Sequence, residues 1–144
     1  EVSYDDFEMD DINENCVCYT GTHDNDTTQG WFRGSPDDIR SDEEIEKTQK
    51  QVLEITNGTP ETIHEDLTRL AFSSAARLAI VPLQDYLGLG SEARINTPGT
   101  TGNNWRWRFV PEQLTPARMT RIAEMVEDSG RGRTEMAQNK SAVR

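Results

Sequence analysis

Tyr19-Thr20-Gly21-Thr22-His23-Asp24-Asn25-Asp26-Thr27-Thr28-Gln29-Gly30-Trp31 is the run whose reading decides the rest of the chain. It follows a short apolar stretch, Cys16-Val17-Cys18, and passes at once into small and polar residues. An apolar run of that length, closed by turn-forming residues, predicts a buried strand over 16–20 that hands over to a loop over 21–36. Side chains at such a strand end are placed to do chemistry, so His23, Asp24, Asn25 and Asp26 are the first site candidates. Gly21, Gly30, Gly34 and Pro36 punctuate the loop. Trp31 and Phe32 inside it either stack on a ligand or pin the loop to the body.

Downstream the periodicity turns helical. Ser41 caps a polar helix running to Ile55, with Glu44 three residues later completing a capping-box pattern and Asp42 and Glu43 suiting the positive helix start. Its apolar stripe, Ile45, Gln49, Val52 and Ile55, is thin, and Asn57-Gly58 ends it. Thr59-Pro60 is read as the start of the next helix. Ile63, Leu67, Leu70, Ala71, Ser74, Ala75 and Leu78 then recur at three- and four-residue steps. His64, among Glu61, Glu65 and Asp66, reads as a solvated residue rather than a ligand.

Ala79-Ile80-Val81-Pro82-Leu83 predicts a buried parallel strand, with Gln84 and Asp85 at its C-terminal end; Pro82 is at odds with a central ladder position. In Asn96-Thr97-Pro98-Gly99-Thr100-Thr101-Gly102, Pro98-Gly99 suits a type II turn. Trp105-Arg106-Trp107-Arg108 alternates aromatic and basic residues. It reads either as a platform for sugar rings or bases, or as a strand-like segment with tryptophans packed inward and arginines outward, and the second is favoured. Thr115-Pro116 opens a last helix with Met119, Ile122, Ala123 and Val126 as its stripe, ended by Gly130. The order strand, loop, helix, helix, strand, loop, helix is an α/β pattern with parallel strands, most simply the C-terminal part of a (β/α)8 TIM barrel.

Composition sets bounds on this. The 144 residues carry a net charge of −11, and only 33% are hydrophobic. Residues 1–58 hold 16 acids against 4 basic residues, while 59–144 are nearly balanced. Such acidity argues against nucleic-acid binding, which needs cations to neutralise phosphates. No window approaches the ~20 apolar residues of a membrane helix, and no signal segment opens the chain. A cytoplasmic protein is therefore expected, or a plastid one if a parent carried a transit peptide. Residues 1–14 predict an acidic flexible lead-in, 15–129 the folded portion, and 130–144 a disordered tail. Cys16 and Cys18 do not have thioredoxin or zinc spacing and read as two small strand residues.

Taken alone, the H-D-N-D run leaves three readings open. His and Asp suit a divalent metal, although only two histidines exist. Carboxylates suit glycoside chemistry, where they stabilise an oxocarbenium-like transition state. Asp and Asn also satisfy loop backbone groups without doing chemistry, and this structural reading ranks first on the motif alone.

Three motifs change that ranking. Tyr19-Thr-Gly-Thr-His-Asp-Asn-Asp-Thr-Thr-Gln-Gly-Trp31, Pro82-Leu-Gln-Asp-Tyr-Leu-Gly-Leu-Gly-Ser-Glu-Ala-Arg-Ile-Asn-Thr-Pro-Gly-Thr100 and Asn104-Trp-Arg-Trp-Arg108 closely resemble the 4-α-glucanotransferases (amylomaltase, or disproportionating enzyme; glycoside hydrolase family 77). The resemblance covers roughly Asn15 to Asp128. It implies a (β/α)8 barrel with inserted subdomains that moves 4-α-glucan segments between α-1,4-glucans such as maltooligosaccharides, with retention and with no metal or organic cofactor. It implies that Asp24 is the carboxylate steadying the distorted donor sugar and that His23 and Asn96 bind that sugar. Gln84 and Asp85 would shape the barrel end. The family's nucleophile and acid/base lie upstream of the H-D-N-D run, and nothing before Tyr19 matches them. Retaining chemistry needs two carboxyl groups ~5 Å apart, so this stretch alone is expected to be inactive and to need the N-terminal barrel portion as partner. The alternatives are a non-catalytic remnant that binds glucan or a partner protein, and a fragment whose half-barrel barely folds.

Overall fold

Two three-residue strands set the frame. In this computed structural model, which describes residues 12–132, β1 (Val17–Tyr19) pairs in parallel with β2 (Leu78–Ile80), Val17 opposite Leu78 and Tyr19 opposite Ile80. Parallel strands cannot be joined by a hairpin, and the crossover here contains three helices. The first eleven residues of the expected lead-in and 133–144 of the expected tail lie outside the described residues.

The strand expected over 79–83 starts one residue earlier and stops at Ile80. Pro82 instead precedes a one-turn helix, α4 (Leu83–Tyr86), so Leu83 leaves the sheet. Nor is the pair buried. Val17, Tyr19, Leu78 and Ile80 share one sheet face and are 41%, 48%, 56% and 45% exposed. The sheet has two strands among the described residues, and about half of that apolar face is open.

The expected loop over 21–36 contains a helix, α1 (Thr28–Arg33). Thr27 caps it by accepting from the Gly30 backbone N–H at 3.0 Å, and Gly34 ends it at φ 78°. Phe32 on this helix is buried. Gly30 is required for close approach, because a Cβ there would run into Ser91 Oγ and the Asp26 carboxylate.

Helix α2 (Asp42–Thr56) has the expected capping box. Ser41 N–H donates to Glu44 Oε2 at 2.7 Å, and Glu44 N–H donates to Ser41 Oγ at 3.3 Å. Asn57, in the left-handed region, closes it. Gln49 Nε2 donates to Phe32 O at 2.7 Å and ties α2 to α1.

Helix α3 (Ile63–Ser73) starts later than Thr59-Pro60 predicts. Residues 59–62 form a turn instead, with Thr62 N–H donating to Thr59 O at 3.1 Å. Its buried face is Ile63, Thr68, Ala71 and Phe72. Thr68 is buried at low cost because its hydroxyl donates to His64 O at 2.7 Å. Leu78, read as the end of the stripe, belongs to β2, because the chain turns extended at Ser74.

Helix α5 (Pro116–Asp128) is capped by Thr115 as expected. It buries Met125 rather than Met119, which is 50% exposed. Arg121 on α5 meets Glu65 on α3 at 2.8 Å. Beyond the helix, Arg131 donates to the carbonyls of Phe72, Ser74 and Ala76 at 2.6–2.8 Å, capping the end of α3 with a guanidinium. Arg131, at the head of the segment expected to be disordered from residue 130, is thus held in place. Phe32, Ile63, Ala71, Phe72, Ala76, Leu87, Ala93 and Met125 make up the core.

Candidate functional site

Beyond β1 the backbone turns through Thr22–Asn25. Asn25 Oδ1 accepts from both the N–H and the hydroxyl of Thr22, each at 2.8 Å, and Asn25 N–H donates to Thr22 O. Asn25 thus folds the turn, which lifts His23 and Asp24 to the surface with their side chains about half exposed.

Asp26, the second acid of the run, faces the other way. Its Oδ2 accepts from Ser91 Oγ at 2.6 Å and its Oδ1 from Thr27 N–H at 2.7 Å, at the start of α1. Asp85 is 1% exposed and accepts from Thr20 Oγ1, Thr28 N–H and Thr28 Oγ1 at 2.7–3.0 Å. Buried Gln84 donates to Ala93 O at 3.2 Å. Asp26, Gln84 and Asp85 thus spend their polar atoms on holding the post-strand loops together, which leaves Asp24 as the outward-facing carboxylate of the run.

A second loop comes over Asp24 from the other side. Asn96 Nδ2 donates to Asp24 Oδ1 at 2.6 Å, and His23 Nε2 lies 3.3 Å from the same oxygen. No described residue donates to Oδ2. Arg94 braces the join, its Nη2 donating to Asp24 O at 2.8 Å and its Nε to Asn96 O at 2.9 Å. The turn that follows matches the type II expectation, with Gly99 at φ 77° and Thr100 N–H donating to Thr97 O. Asn104 Oδ1 accepts from Thr97 N–H at 3.0 Å and closes the loop on itself.

Trp105 departs from the inward packing expected of it. No strand forms there; the residue sits at φ 62° and is 57% exposed. Its ring lies against His23, with centroids 5.1 Å apart at 37°.

His64 is also not the solvated residue expected. Its Nδ1 is 3.2 Å from Gln29 Nε2, and burial pushes its pKa below the ordinary imidazole value. It lines a groove of about 270 Å³ between α3, α4 and α5, away from Asp24. Among the described residues no three His, Cys, Asp or Glu side chains converge as a metal site, and no described helix is long and apolar enough to cross a membrane.

The structure therefore brings His23, Asp24 and Asn96 into one constellation. Arg94 carries no signal in the sequence beyond its place in the Glu92-Ala-Arg-Ile-Asn96 run, and Trp105 is exposed where its alternating run favours inward packing. The outward carboxylate, fixed through one oxygen and open at the other, beside an imidazole and an exposed indole, is suited to polyhydroxylated ligands: it offers an acceptor, donors and an apolar plane together.

Comparison with known proteins points the same way. The family model described as 4-alpha-glucanotransferase matches residues 2–114. A 4-alpha-glucanotransferase of Synechocystis is 53% identical over 102 residues, covering 71% of this chain and 19% of that protein. One from Thermus thermophilus is 42% identical over 117 residues, covering 80% of this chain and 22% of that protein. Among solved structures, the amylomaltase from Streptococcus agalactiae in complex with acarbose has a TM-score of 0.71 at 30% identity, covering 84% of this chain and 23% of that one. The chain spans about a fifth of the length of these curated relatives.

Proposed function

The chain belongs to the 4-alpha-glucanotransferase family, and on that footing we propose that it is the C-terminal part of a (β/α)8 barrel that transfers 4-α-glucan segments between α-1,4-glucans with retention. Three features support the barrel: the parallel β1–β2 pair, the helical crossover and the half-open apolar sheet face, which would point into a barrel.

In this reading Asp24 stabilises the developing positive charge and ring distortion of the donor glucose. A carboxylate held before the reaction begins needs little reorganisation when charge appears. His23 and Asn96 orient the sugar hydroxyls and hold Asp24 through Oδ1, while Oδ2 meets the substrate. The observation that carries the proposal is the shared contact of Asn96 and His23 on one carboxylate oxygen of Asp24.

The nucleophile and the acid/base belong to polypeptide outside the described residues. Asp26 and Asp85 are poor substitutes, because both carboxylates are occupied by the hydroxyl and amide donors that build the fold. The chain thus completes a site whose other carboxylates come from the N-terminal barrel portion.

The test is disproportionation of maltotriose, read as glucose and longer maltodextrins by chromatography. The chain alone gives no product, and mixing it with the upstream part of the Thermus thermophilus relative gives product. Asp24→Asn in the mixture lowers kcat by about a hundredfold or more, the scale of losing one preorganised electrostatic contact. An unchanged rate in Asp24→Asn removes Asp24 from the mechanism.

A further inference from the structure

The backbone around Trp105 is arranged to keep an indole in the open. A bulky residue with positive φ costs about 1–3 kcal/mol and persists only where its surroundings hold it. Here Trp105 N–H donates to Ile95 O at 2.7 Å, and Asn104 staples the loop just before it. The cost gains no burial, since Trp105 is more than half exposed. What the arrangement yields instead is a flat apolar platform beside the His23–Asp24 pair. One edge of that platform is already fixed, because the ring rests against His23, and His23 in turn contacts Asp24.

We infer that Trp105 is a stacking platform for a pyranose ring, taking the glucosyl unit next to the one held by Asp24, His23 and Asn96. The C–H face of a glucose ring is apolar while its rim carries hydroxyls. An indole supplies the flat apolar partner, and the neighbouring carboxylate and imidazole supply the rim contacts. His23 links the two halves of the site: its ring packs on the platform and its Nε2 faces the carboxylate. This inference rests on the glucan reading above and extends it by a second sugar position.

The experiment is titration with acarbose by calorimetry of this chain mixed with the upstream part of the Thermus thermophilus relative, for the wild type and for Trp105→Ala, Trp105→Phe and Asp24→Ala. Thermal unfolding midpoints serve as the folding control, and an exposed side chain leaves them nearly unchanged. Trp105→Ala is expected to weaken binding about tenfold or more, the usual scale for truncating an anchoring aromatic, while Trp105→Phe stays within about threefold of wild type. If Trp105→Ala binds like wild type while Asp24→Ala loses binding, the platform is overturned and the glucan reading stands. If the wild-type mixture takes up no acarbose, both are overturned.

Discussion

Arg94 donates to the backbone carbonyl of Asp24 at 2.8 Å across seventy positions of sequence. The same guanidinium reaches Asn96 O at 2.9 Å. It therefore joins the two loops behind the contact between the Asp24 and Asn96 side chains, touching neither side chain itself.

Arg94→Ala should therefore act on rate more than on sugar affinity. In the assembled enzyme kcat is expected to fall about tenfold to a hundredfold with KM little changed, since misplacing a group by about 1 Å costs on that order. Arg94→Lys recovers only part of this, because an ammonium lacks the fork that serves two carbonyls. Steady-state kinetics beside the thermal midpoint of each variant checks it; a matching rise in KM would show that Arg94 only supports binding.

Asp85 accepts three hydrogen bonds from Thr20 and Thr28 while almost wholly buried. Asp85→Ala leaves those donors without partners and is expected to cost about 3 kcal/mol of stability, measured by urea unfolding. A loss well below 1 kcal/mol would mean that water replaces the carboxylate without penalty.

His64 predicts a pH dependence. Burial lowers its pKa in the folded chain below the ordinary 6.5. As pH falls through 6.5 the unfolded chain takes up a proton before the folded one does, so this contribution to stability is full above that pH. It declines as pH drops toward the lowered folded value, and below that value the loss is complete. His64→Gln removes this part of the slope. Comparing urea midpoints of the two chains at about pH 7.5 and about pH 5 checks it, with the gap between them changing in that window.

Legibility followed locality. The Ser41–Glu44 box and the Thr115-Pro116 start are chemistry within three or four residues, and both helices begin where those residues place them. Helix α1 was hidden because Gly30 and Gly34 read as loop punctuation, whereas Gly30 serves close packing and Gly34 ends the helix. Thr59-Pro60 looked like a cap, but Thr62 three residues on makes the turn first. Ile63, Ala71 and Ser74 of the first stripe are buried as read, but Phe72 beside them packs as well, and the last helix buries Met125 rather than the Met119 of its stripe. His64 and Trp105 exchanged places: the polar ring is half-buried against Gln29, and the apolar one is outside. Neither outcome is set by neighbours in sequence. The pairing of Asp24 with Asn96 likewise spans seventy-two positions, so only the family resemblance placed them in one site.

The parallel pairing of β1 with β2 has a kinetic consequence. Each strand gives three residues to the ladder, and the partners stand sixty-one positions apart. Closing so long a loop for so few bonds is slow, because its entropy is lost before the contacts return anything. The helices between the strands rest on local contacts, and the strand pair does not. His23 and Asp24 ride on one side of it, and Asn96 and Trp105 on the other. The constellation therefore depends on that closure, since its two halves stand on either side of it.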